Sequence, residues 1–298
     1  MVTSSALDDG ILPVDKPVGP TSHDIVARVR RVLGVRKVGH TGTLDPFASG
    51  LLLLCLGSST RLAQYLSGLP KEYEAEARLG QTTDTDDLEG GITGEDEGWR
   101  ALDRGVVEEA LSRFQGTTLQ RPPPFSAKKV RGEAAHRRVR RGEEVQLEPV
   151  EVEVEFVELL ELDLPRLRFR VRCSAGTYIR AIARDLGEAL GVGGHLSQLR
   201  RTGVGGFRVA GALALEELED LGAVTRARIP PVQALAHLPQ VQLQDPDEVK
   251  RLRHGREIGT PGSMLGKSGP VVLARGEEVV AVGVLEGASI RPRKVFAS

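Results

Sequence analysis

The sequence is poor in cysteine, in aromatic residues and in long apolar runs. Its 298 residues include two cysteines, Cys55 and Cys173, which cannot form a disulfide framework or a four-ligand zinc site. The longest apolar run, LLLLCL at Leu51 to Leu56, is far shorter than the ~20 residues that span a bilayer. The first ten residues lack the features of a signal peptide. These absences predict a cytoplasmic protein with no membrane partner.

Several catalytic motifs are also missing. The GKS sequence at Gly266 is not a P-loop, because the position that needs an upstream glycine is Pro261. A G-x-G-x-x-G dinucleotide fingerprint, an H-E-x-x-H motif and the zinc-deaminase signature are absent. Cys55 lies within an apolar run, which is typical of a packed, unreactive thiol. The sequence therefore gives no support to nucleotide-driven, redox or zinc chemistry.

Charge is present in quantity, but it is segregated along the chain. The net charge of −1 comes from 40 basic and 41 acidic residues. Five basic residues and no acid lie between Arg28 and Lys37, and eight basic residues and one acid lie between Arg121 and Arg141. Acids dominate residues 84–97 and 143–163. A basic stretch can follow a phosphate backbone, and a solvated face with local ion pairs is the alternative.

Hydrophobic periodicity predicts helices and strands in a mixed order. Helical spacing covers Ser22–Leu33 with Ser22 as the N-cap, Val106–Phe114, and Tyr178–Leu190 with Thr177 as the N-cap. Because the elements do not alternate as regular βαβ units, the sequence predicts an α+β fold with a mixed, largely antiparallel sheet and flanking helices.

Two segments alternate at period two and predict a pair of antiparallel strands. They cover Glu151–Val157 and Arg166–Cys173, and a short proline-containing segment joins them. Pairing would set a glutamate stripe opposite an arginine stripe, so we expect ion pairs rather than RNA contacts. The residues concerned are Glu151, Glu153 and Glu155 on one strand and Arg166, Arg168, Arg170 and Arg172 on the other.

Prolines and composition suggest the domain organisation. Residues 119–142 form a basic, proline-containing insertion, and further prolines follow at 230, 231 and 239. Beyond them, Asp245-Pro246 predicts the start of a short helix that ends at Gly255, followed by short apolar strands. We therefore predict a large domain over residues 1–237 and a small β-rich module over residues 238–298.

A few rare or reactive residues lie at the ends of predicted elements. Asp45 occupies a glycine-flanked loop with His40, and an ordinary Asp-Pro turn is the alternative interpretation. Tyr73 lies in KEYEAEARLG, and Tyr178 and Arg180 lie in GTYIRAIARDLG, which opens a helix. Two of the three tyrosines thus occupy such places.

Six segments resemble, in order and spacing, the TruB family of tRNA pseudouridine synthases, and they cover most of residues 10 to 207. They are GILPVDKPVGPTSHDIV, KVGHTGTLDPFASGLL, KEYEAEARLGQTTDTDDLEG, PPPFSAKKVRGEAA, AGTYIRAIARDLG and GGHLSQLRRTGVGGF. The resemblance implies isomerisation of uridine 55 in the tRNA T-loop to pseudouridine, with no cofactor and no metal. It also implies a pseudouridine-synthase fold over residues 1–237 and a PUA-like RNA-binding module over residues 238–298.

By this resemblance Asp45 is the essential residue and the nucleophile. Breaking the bond between C1′ and N1 and joining C5 to C1′ leaves an electron-poor sugar carbon, which a carboxylate anion can capture or stabilise. Arg180 would orient Asp45 and lower its pKa. Tyr73 would stack on the uracil and help to remove the C5 proton. Attack of Asp45 on the sugar and attack on the uracil ring both stay open.

The resemblance assigns further residues to the uridine pocket. Tyr178 would form a hydrogen bond there, and Leu199 would supply an apolar wall beneath the base, although an ordinary core leucine is the alternative. His40 would fill the gap that the target nucleotide leaves when it swings out. The Lys16-Pro17 pair would support the floor of the site.

The basic insertion resembles the thumb of the family, which closes on the RNA stem-loop. Its candidate phosphate contacts are Lys128, Lys129, Arg137, Arg138, Arg140 and Arg141. Phe125 and His136 stand where the family often has tyrosine, which puts a hydroxyl contact there in doubt.

The implied partner is the T stem-loop of tRNA, and we expect a monomer without an obligate protein partner. Two other hypotheses stay open. One is a tRNA-folding chaperone whose catalysis is secondary, and the other is a guide-RNA-dependent synthase, against which the insertion argues.

Overall fold

A computed structural model describes residues 9–125, 147–296 and, between them, 129, 130, 133, 134, 138, 141 and 143, with the backbone alone at 129, 130, 133 and 134. In these parts of the chain, helices flank one large mixed sheet and a smaller β-rich module follows, so the predicted α+β class is confirmed. None of the described helices combines the length and the apolar character that a membrane span requires.

Among the described residues, ten strands form the large sheet. In spatial order, eight of them are β14 (Leu213–Ala214), β1 (Gly10–Lys16), β3 (Ser49–Leu56), β12 (Gly194–Val204), β4 (Lys71–Leu79), β11 (Arg166–Cys173), β10 (Val150–Asp163) and β7 (Gly116–Gln120). Two short strands pair beside this path, β2 (Val38–His40) with β3 and β13 (Phe207–Arg208) with β12. Pairing is parallel between β1 and β14 and between β3 and β12, and antiparallel elsewhere.

Outside the large sheet lie two short hairpins, and helices pack around it. The hairpins pair β5 (Gln81–Thr83) with β6 (Ile92–Glu95) and β8 (Lys129–Val130) with β9 (Glu133–Ala134). The described α-helices are α1 (Ser22–Leu33), α2 (Ala63–Ser67), α3 (Arg104–Ser112), α4 (Ile179–Ala189), α5 (Leu221–Ala227), α6 (Pro231–Ala234) and α7 (Pro246–Arg253).

The predicted helices exist, but two of their N-caps were wrong. Thr21, not Ser22, caps α1, and it forms a reciprocal capping box with Asp24. Tyr178, not Thr177, occupies the N-cap position of α4, without a side-chain cap bond. Asp245 caps α7, as predicted. The middle helix begins two residues earlier than Val106, because the side chain of Asp103 caps it.

The predicted strand pair forms, but the glutamates that face the arginines are not all the ones predicted. β10 continues through Asp163, so the expected connector is part of the strand, and bulges shift the pairing twice. The arginine stripe is ion-paired with glutamates of β10 on one side and of β4 on the other, which confirms its structural role. Arg172, Arg170 and Arg168 pair with Glu155, Glu158 and Glu161, and Arg172, Arg168 and Arg166 also approach Glu72, Glu74 and Glu76. Placing Glu151 and Glu153 opposite these arginines was therefore wrong.

The apolar run from Leu51 to Leu56 forms the middle strand of the core. Alternate residues of β3 contribute to two apolar clusters on the two faces of the sheet, one beneath α1 and one against the C-terminal module. Cys55 is fully buried in this strand, and burial raises its pKa to about 12. The prediction of an unreactive thiol is confirmed.

The C-terminal module is a five-stranded sheet in the described chain. Its strands, in spatial order, are β15 (Gln240–Gln242), β17 (Gly269–Arg275), β18 (Glu278–Glu286), β19 (Ser289–Val295) and β16 (Ile258–Gly259). Val272, Val282 and Phe296 share an apolar cluster with residues of β1 and β3. The module therefore packs directly on the large sheet, and the boundary near residue 237 stays a prediction.

Candidate active site

Asp45 lies in the loop that joins β2 to β3, and backbone contacts hold this loop from several sides. Ala48 N–H donates to the Asp45 carbonyl (3.1 Å), and Gly19 N–H donates to the Pro46 carbonyl (2.9 Å). The buried Ser22 hydroxyl at the start of α1 accepts from Leu44 N–H (2.9 Å) and lies 3.1 Å from the Leu44 carbonyl oxygen. The backbone position of Asp45 is therefore fixed on both sides by α1 and by the chain that follows β1.

Two buried cations support the same loop from below. Lys16 Nζ donates to the carbonyls of Pro17 (2.9 Å), Pro20 (2.8 Å) and Pro46 (3.3 Å), so it supports the floor of the site as expected. Burial lowers the pKa of Lys16 to about 8, although the nearby Asp45 carboxylate opposes this shift.

The second buried cation is Arg201 on β12. Its Nε donates to the Leu51 carbonyl (2.7 Å), and its two Nη atoms donate to the carbonyls of Thr43 (3.3 Å) and Gly42 (3.1 Å). Gly50, with φ of 103°, lies beside the Arg201 backbone, and a Cβ there would collide with the Arg201 carbonyl. Only glycine therefore allows β3 and β12 to approach where Arg201 enters the loop.

Arg180, the second residue of α4, joins the loop to the rest of the site. Its side chain is 7% exposed, and its Nε lies 3.2 Å from Asp45 Oδ2. Nη1 donates to Asp87 Oδ2 (3.0 Å) and to the Thr85 carbonyl (3.0 Å), and Nη2 donates to the Phe125 carbonyl (2.9 Å). The predicted contact between Arg180 and Asp45 is present, and it belongs to a network that also includes the almost fully buried Asp87.

The pKa of Asp45 is raised above its ordinary value, although Arg180 lowers it as predicted. Burial is the largest cause, and the negative charge of Asp87 adds to it. Arg180 and, more weakly, Lys16 lower the pKa, but they do not outweigh burial. Arg180 therefore acts in the predicted direction and limits a shift that burial would otherwise make larger.

A cavity of about 720 Å³ opens above the Asp45 carboxylate, which is 37% exposed. Its lining includes Asp45, Tyr73, Tyr178, Arg180 and Leu199 from the sequence prediction, together with Lys71, Asp87, Glu89, Phe125 and Arg201. The volume lies within the range of small-ligand pockets. Carboxylates, guanidinium groups, two phenols and an apolar wall therefore meet around a space that can hold a nucleotide.

The apolar and aromatic walls come from neighbouring strands. Tyr73 on β4 and Leu199 on β12 are 8% and 9% exposed, and both line the cavity. Burial raises the pKa of Tyr73, while the charge of Arg201 and a hydrogen bond from it act in the opposite direction.

The backbone of Tyr178 is held by the Gln120 side chain, which accepts from Tyr178 N–H (2.8 Å) and donates to its carbonyl (3.0 Å). In the described chain the Tyr178 hydroxyl has no protein partner, so it is available to a ligand.

His40 lies at the end of β2 and is not part of the cavity lining described above. Its ring approaches His23 of α1 edge-on, with 6.2 Å between ring centroids. Burial lowers the pKa of His40, with help from His23 and Arg201, which favours the neutral ring. Its buried Nδ1 has no hydrogen-bond partner within the described residues.

The basic insertion is described only in part. Lys128, Arg137, Arg140 and His136 lie outside the described residues, and only the backbone of Lys129 is described, in β8. Arg138 and Arg141 each lie 2.7 Å from the carboxylate of Glu143. Phe125 lines the cavity, and its carbonyl accepts from Arg180.

The sequence analysis missed several residues of the site, namely Lys71, Asp87, Glu89 and Arg201. Asp87 was counted only as one of a run of acids, although the Thr-Asp spacing in TTDTDDLEG is typical of a turn closed by side-chain hydrogen bonds. Its Oδ1 accepts from the Thr85 hydroxyl (2.6 Å) and from Glu89 N–H (3.0 Å). Arg201 and Lys71 gave no local signal. Lys71 is buried beside Arg201, and burial lowers its pKa to about 8.

Two sequence models of known families match consecutive parts of the chain. The one described as "TruB family pseudouridylate synthase (N terminal domain)" matches residues 30–179. The one described as "tRNA pseudouridylate synthase B C-terminal domain" matches residues 180–237.

Whole-chain comparisons agree with these matches. The chain is 44% identical to the tRNA pseudouridine synthase B of Synechococcus sp. (strain WH7803), over 96% of this chain and 97% of that protein. It is 46% identical to the protein of the same name from Thermobifida fusca (strain YX), over 97% and 99%. A solved structure of an H/ACA RNP bound to a substrate RNA containing 2′-deoxyuridine superposes with a TM-score of 0.77 at 27% identity, covering 100% of this chain and 88% of that one. A Cbf5-Nop10-Gar1 complex gives 0.77 at 29% identity, covering 98% and 86%.

Proposed function

The chain belongs to the TruB family of pseudouridylate synthases, and from this premise we propose that it converts uridine 55 in the T-loop of tRNA to pseudouridine. It is a tRNA pseudouridine synthase, an isomerase that rearranges one nucleotide within the RNA chain. The observation that carries the assignment of the site is the Asp45 carboxylate beneath a nucleotide-sized cavity, 3.2 Å from Arg180.

Asp45 provides the charge that the reaction needs at the sugar. Breaking the N1–C1′ bond makes C1′ electron-poor, and the Asp45 carboxylate captures or stabilises that carbon while the uracil turns in the cavity. The C5–C1′ bond then forms, C5 loses its proton and N1 gains one, so the atoms of the nucleotide are conserved. Only the ionised form of Asp45 can act in this way.

Arg180 keeps Asp45 in place. Its guanidinium is already held by Asp87 and by the carbonyls of Thr85 and Phe125. A guanidinium fixed at three other points cannot follow Asp45 if the carboxylate moves, so it sets the direction in which the carboxylate points.

The walls of the cavity hold the base. Tyr73 offers a ring on which the uracil stacks, an interaction that contributes about 1–3 kcal/mol for one base. Leu199 supplies an apolar wall beneath the base, and the Tyr178 hydroxyl donates to or accepts from the bound nucleotide. Tyr73 then helps to remove the C5 proton late in the reaction, and because its raised pKa keeps the phenol protonated, it passes on its own hydroxyl proton as it takes up the one from C5.

Entry of the uridine into this cavity requires that it leave the RNA stack. His40 fills the gap in the stack, and a neutral, planar ring suits that place. Lys128 and Lys129 and the arginines of the insertion bind phosphates of the stem-loop, and residues 238–298 act as a PUA-like RNA-binding module beside the catalytic domain of residues 1–237.

The enzyme works in the cytoplasm as a monomer, with tRNA as its partner and no obligate protein subunit. The relatives named tRNA pseudouridine synthase B match at 44% to 46% identity over nearly their whole length, whereas the structures from H/ACA particles match at 27% to 29%. These identities support a tRNA enzyme over the guide-RNA-dependent alternative. A tRNA-folding activity is compatible with the same RNA contacts.

The test uses the purified protein alone with an unmodified tRNA transcript. We expect pseudouridine at position 55 by primer extension after carbodiimide treatment, and none in a transcript that carries cytidine at this position. Modification that requires an added guide RNA, or that occurs at another uridine, would contradict the proposal. The rate of tRNA folding with and without the protein, measured in parallel, shows whether the protein also acts as a tRNA-folding chaperone.

A further inference from the structure

A basic surface covers the C-terminal end of α1 and the loop that follows it. It is formed by Arg28, Arg30, Arg31, Arg36 and Lys37, of which Arg28 is half-buried and the others are exposed. No acid interrupts this stretch. Asp24, the acid of α1 itself, accepts from the Thr21 backbone and hydroxyl at the opposite end of the helix.

The five charges of this α1 basic surface have no ion-pair partner among the described residues. The arginines of β11, by contrast, each have at least one glutamate within 4 Å. Acids do lie nearby, because residues 215–219 pack against α1 and carry Glu216, Glu217 and Glu219. Glu217 accepts from Ala214 N–H (2.9 Å). None of the three forms an ion pair with the α1 basic surface.

A purely structural role explains only part of this charge. Arg30 and Arg31 lie in the last turn of α1, where cations are favoured by the helix dipole, and Arg30 also donates to the Val38 carbonyl (3.2 Å). Arg28 lies earlier in the helix, and Arg36 and Lys37 lie beyond its end. Four basic side chains are thus left with neither an ion pair nor a hydrogen bond among the described residues.

Helix α1 is attached to the catalytic loop at its other end. Ser22 binds the backbone of Leu44, next to Asp45, and His23 contacts His40. The helix has 12 residues and is about 18 Å long, so the part of the basic surface on the helix lies within about one helix length of the catalytic loop. An RNA whose target nucleotide occupies the cavity has phosphates within this distance.

We propose that the α1 basic surface binds the phosphate backbone of the tRNA substrate, at a second contact separate from the basic insertion. The inference rests on the proposed function, because it requires that tRNA be the substrate. Phosphates repel one another and are attracted by unpaired arginine and lysine side chains, and such contacts position the RNA without reading its sequence.

The test variant combines four substitutions, Arg28→Gln, Arg31→Gln, Arg36→Gln and Lys37→Gln. Arg30 is kept because its side chain donates to the Val38 carbonyl. Binding of a tRNA transcript is measured between 0.05 and 0.3 M salt, in the Asp45→Asn background so that no turnover occurs. Each phosphate contact contributes about 0.7–0.9 to the slope of log K against log salt, so loss of two to four contacts lowers the slope by about 1.4–3.6. We also expect Kd to rise at least tenfold at 0.15 M salt.

The matched control removes the same charge from exposed arginines that do have acidic partners. It combines Arg100→Gln, Arg104→Gln, Arg113→Gln and Arg226→Gln. Slopes and Kd values that agree between the two variants would overturn the proposal. A double variant, Arg36→Gln with Lys37→Gln, lies outside the helix and tests the surface without any effect on α1. Pseudouridine formation by the wild-type protein in the same transcript tests the proposed function separately.

Discussion

Replacing Arg201 with lysine tests whether this buried guanidinium holds the catalytic loop. Arg201 is 2% exposed and donates to three carbonyls, those of Leu51, Thr43 and Gly42. A lysine keeps the positive charge and has three N–H donors, but they sit on one nitrogen, whereas Arg201 reaches the three carbonyls with three separate nitrogens of a planar guanidinium. We therefore expect lysine to keep one of the three contacts. A hydrogen bond from a charged group contributes about 1.5–3 kcal/mol, so the loss of two destabilises the fold by about 3–6 kcal/mol.

The same change lets the loop move. Displacement of a reacting group by about 1 Å can lower a rate by about a hundredfold. We therefore expect Arg201→Lys to lower kcat by roughly tenfold to a hundredfold with a smaller effect on KM, because the phosphate contacts of the RNA lie elsewhere.

The assay pairs thermal unfolding with single-turnover pseudouridine formation. Arg200→Lys is the matched control, because Arg200 is the neighbouring residue and forms a half-exposed pair with Asp15 at 2.7 Å. Such pairs contribute about 0–1 kcal/mol. The Tm of Arg201→Lys should fall by at least about 6 °C and that of the control by much less. If Arg201→Lys unfolds and reacts like the control, the loop does not depend on Arg201.

Three further predictions concern Arg180, Asp45 and Arg170. Arg180→Gln leaves Asp87 buried without its cation, so the free energy of unfolding, measured with urea, should fall by about 3–5 kcal/mol, and unchanged stability would argue against the network. Because burial raises the pKa of Asp45 and protonation removes the reactive anion, the single-turnover rate should fall on the acid side at a pH above that of an ordinary aspartate, which titrates near 4. Arg180 lowers this pKa, so Arg180→Gln should move the fall to still higher pH. The side chains of the other groups that interact with Asp45, namely Asp87, Lys16 and Glu89, all remain in that variant, and only Asp87 loses a partner with Arg180. An unshifted profile would exclude the contribution of Arg180. Arg170→Gln removes an exposed ion pair with Glu158, so it should change the free energy of unfolding by less than about 1 kcal/mol and leave tRNA affinity unchanged. A large loss of tRNA affinity would show that the β11 arginines contact RNA.

Local patterns were sufficient to predict the elements with the clearest periodicity. The spacing of Ile25, Val26 and Val29 marks α1 because these residues share one helix face, and strict alternation marks β10 and β11. The charge register was not predictable, because the bulges in β10 shift its glutamates relative to β11, and bulges leave no clear mark in the alternation.

The site was predictable where reactive residues stand in distinctive motifs, and not where it depends on long-range packing. Asp45, Tyr73 and Arg180 could be proposed from their motifs. Arg180 and Asp87 are in contact but 93 residues apart in the sequence, and Arg201 and Leu51 are 150 residues apart, so neither contact leaves a local sequence pattern. The direction of the Asp45 pKa shift also depends on burial, which the sequence does not give.

Asp45→Asn tests the central claim most directly, because it removes the charge of the carboxylate while keeping its shape. The measurement is single-turnover pseudouridine formation at position 55 of a tRNA transcript, with tRNA binding and thermal unfolding measured on the same protein. The account predicts a folded variant that binds tRNA and forms no detectable pseudouridine. A folded Asp45→Asn protein that forms pseudouridine at a rate near that of the wild type would contradict it.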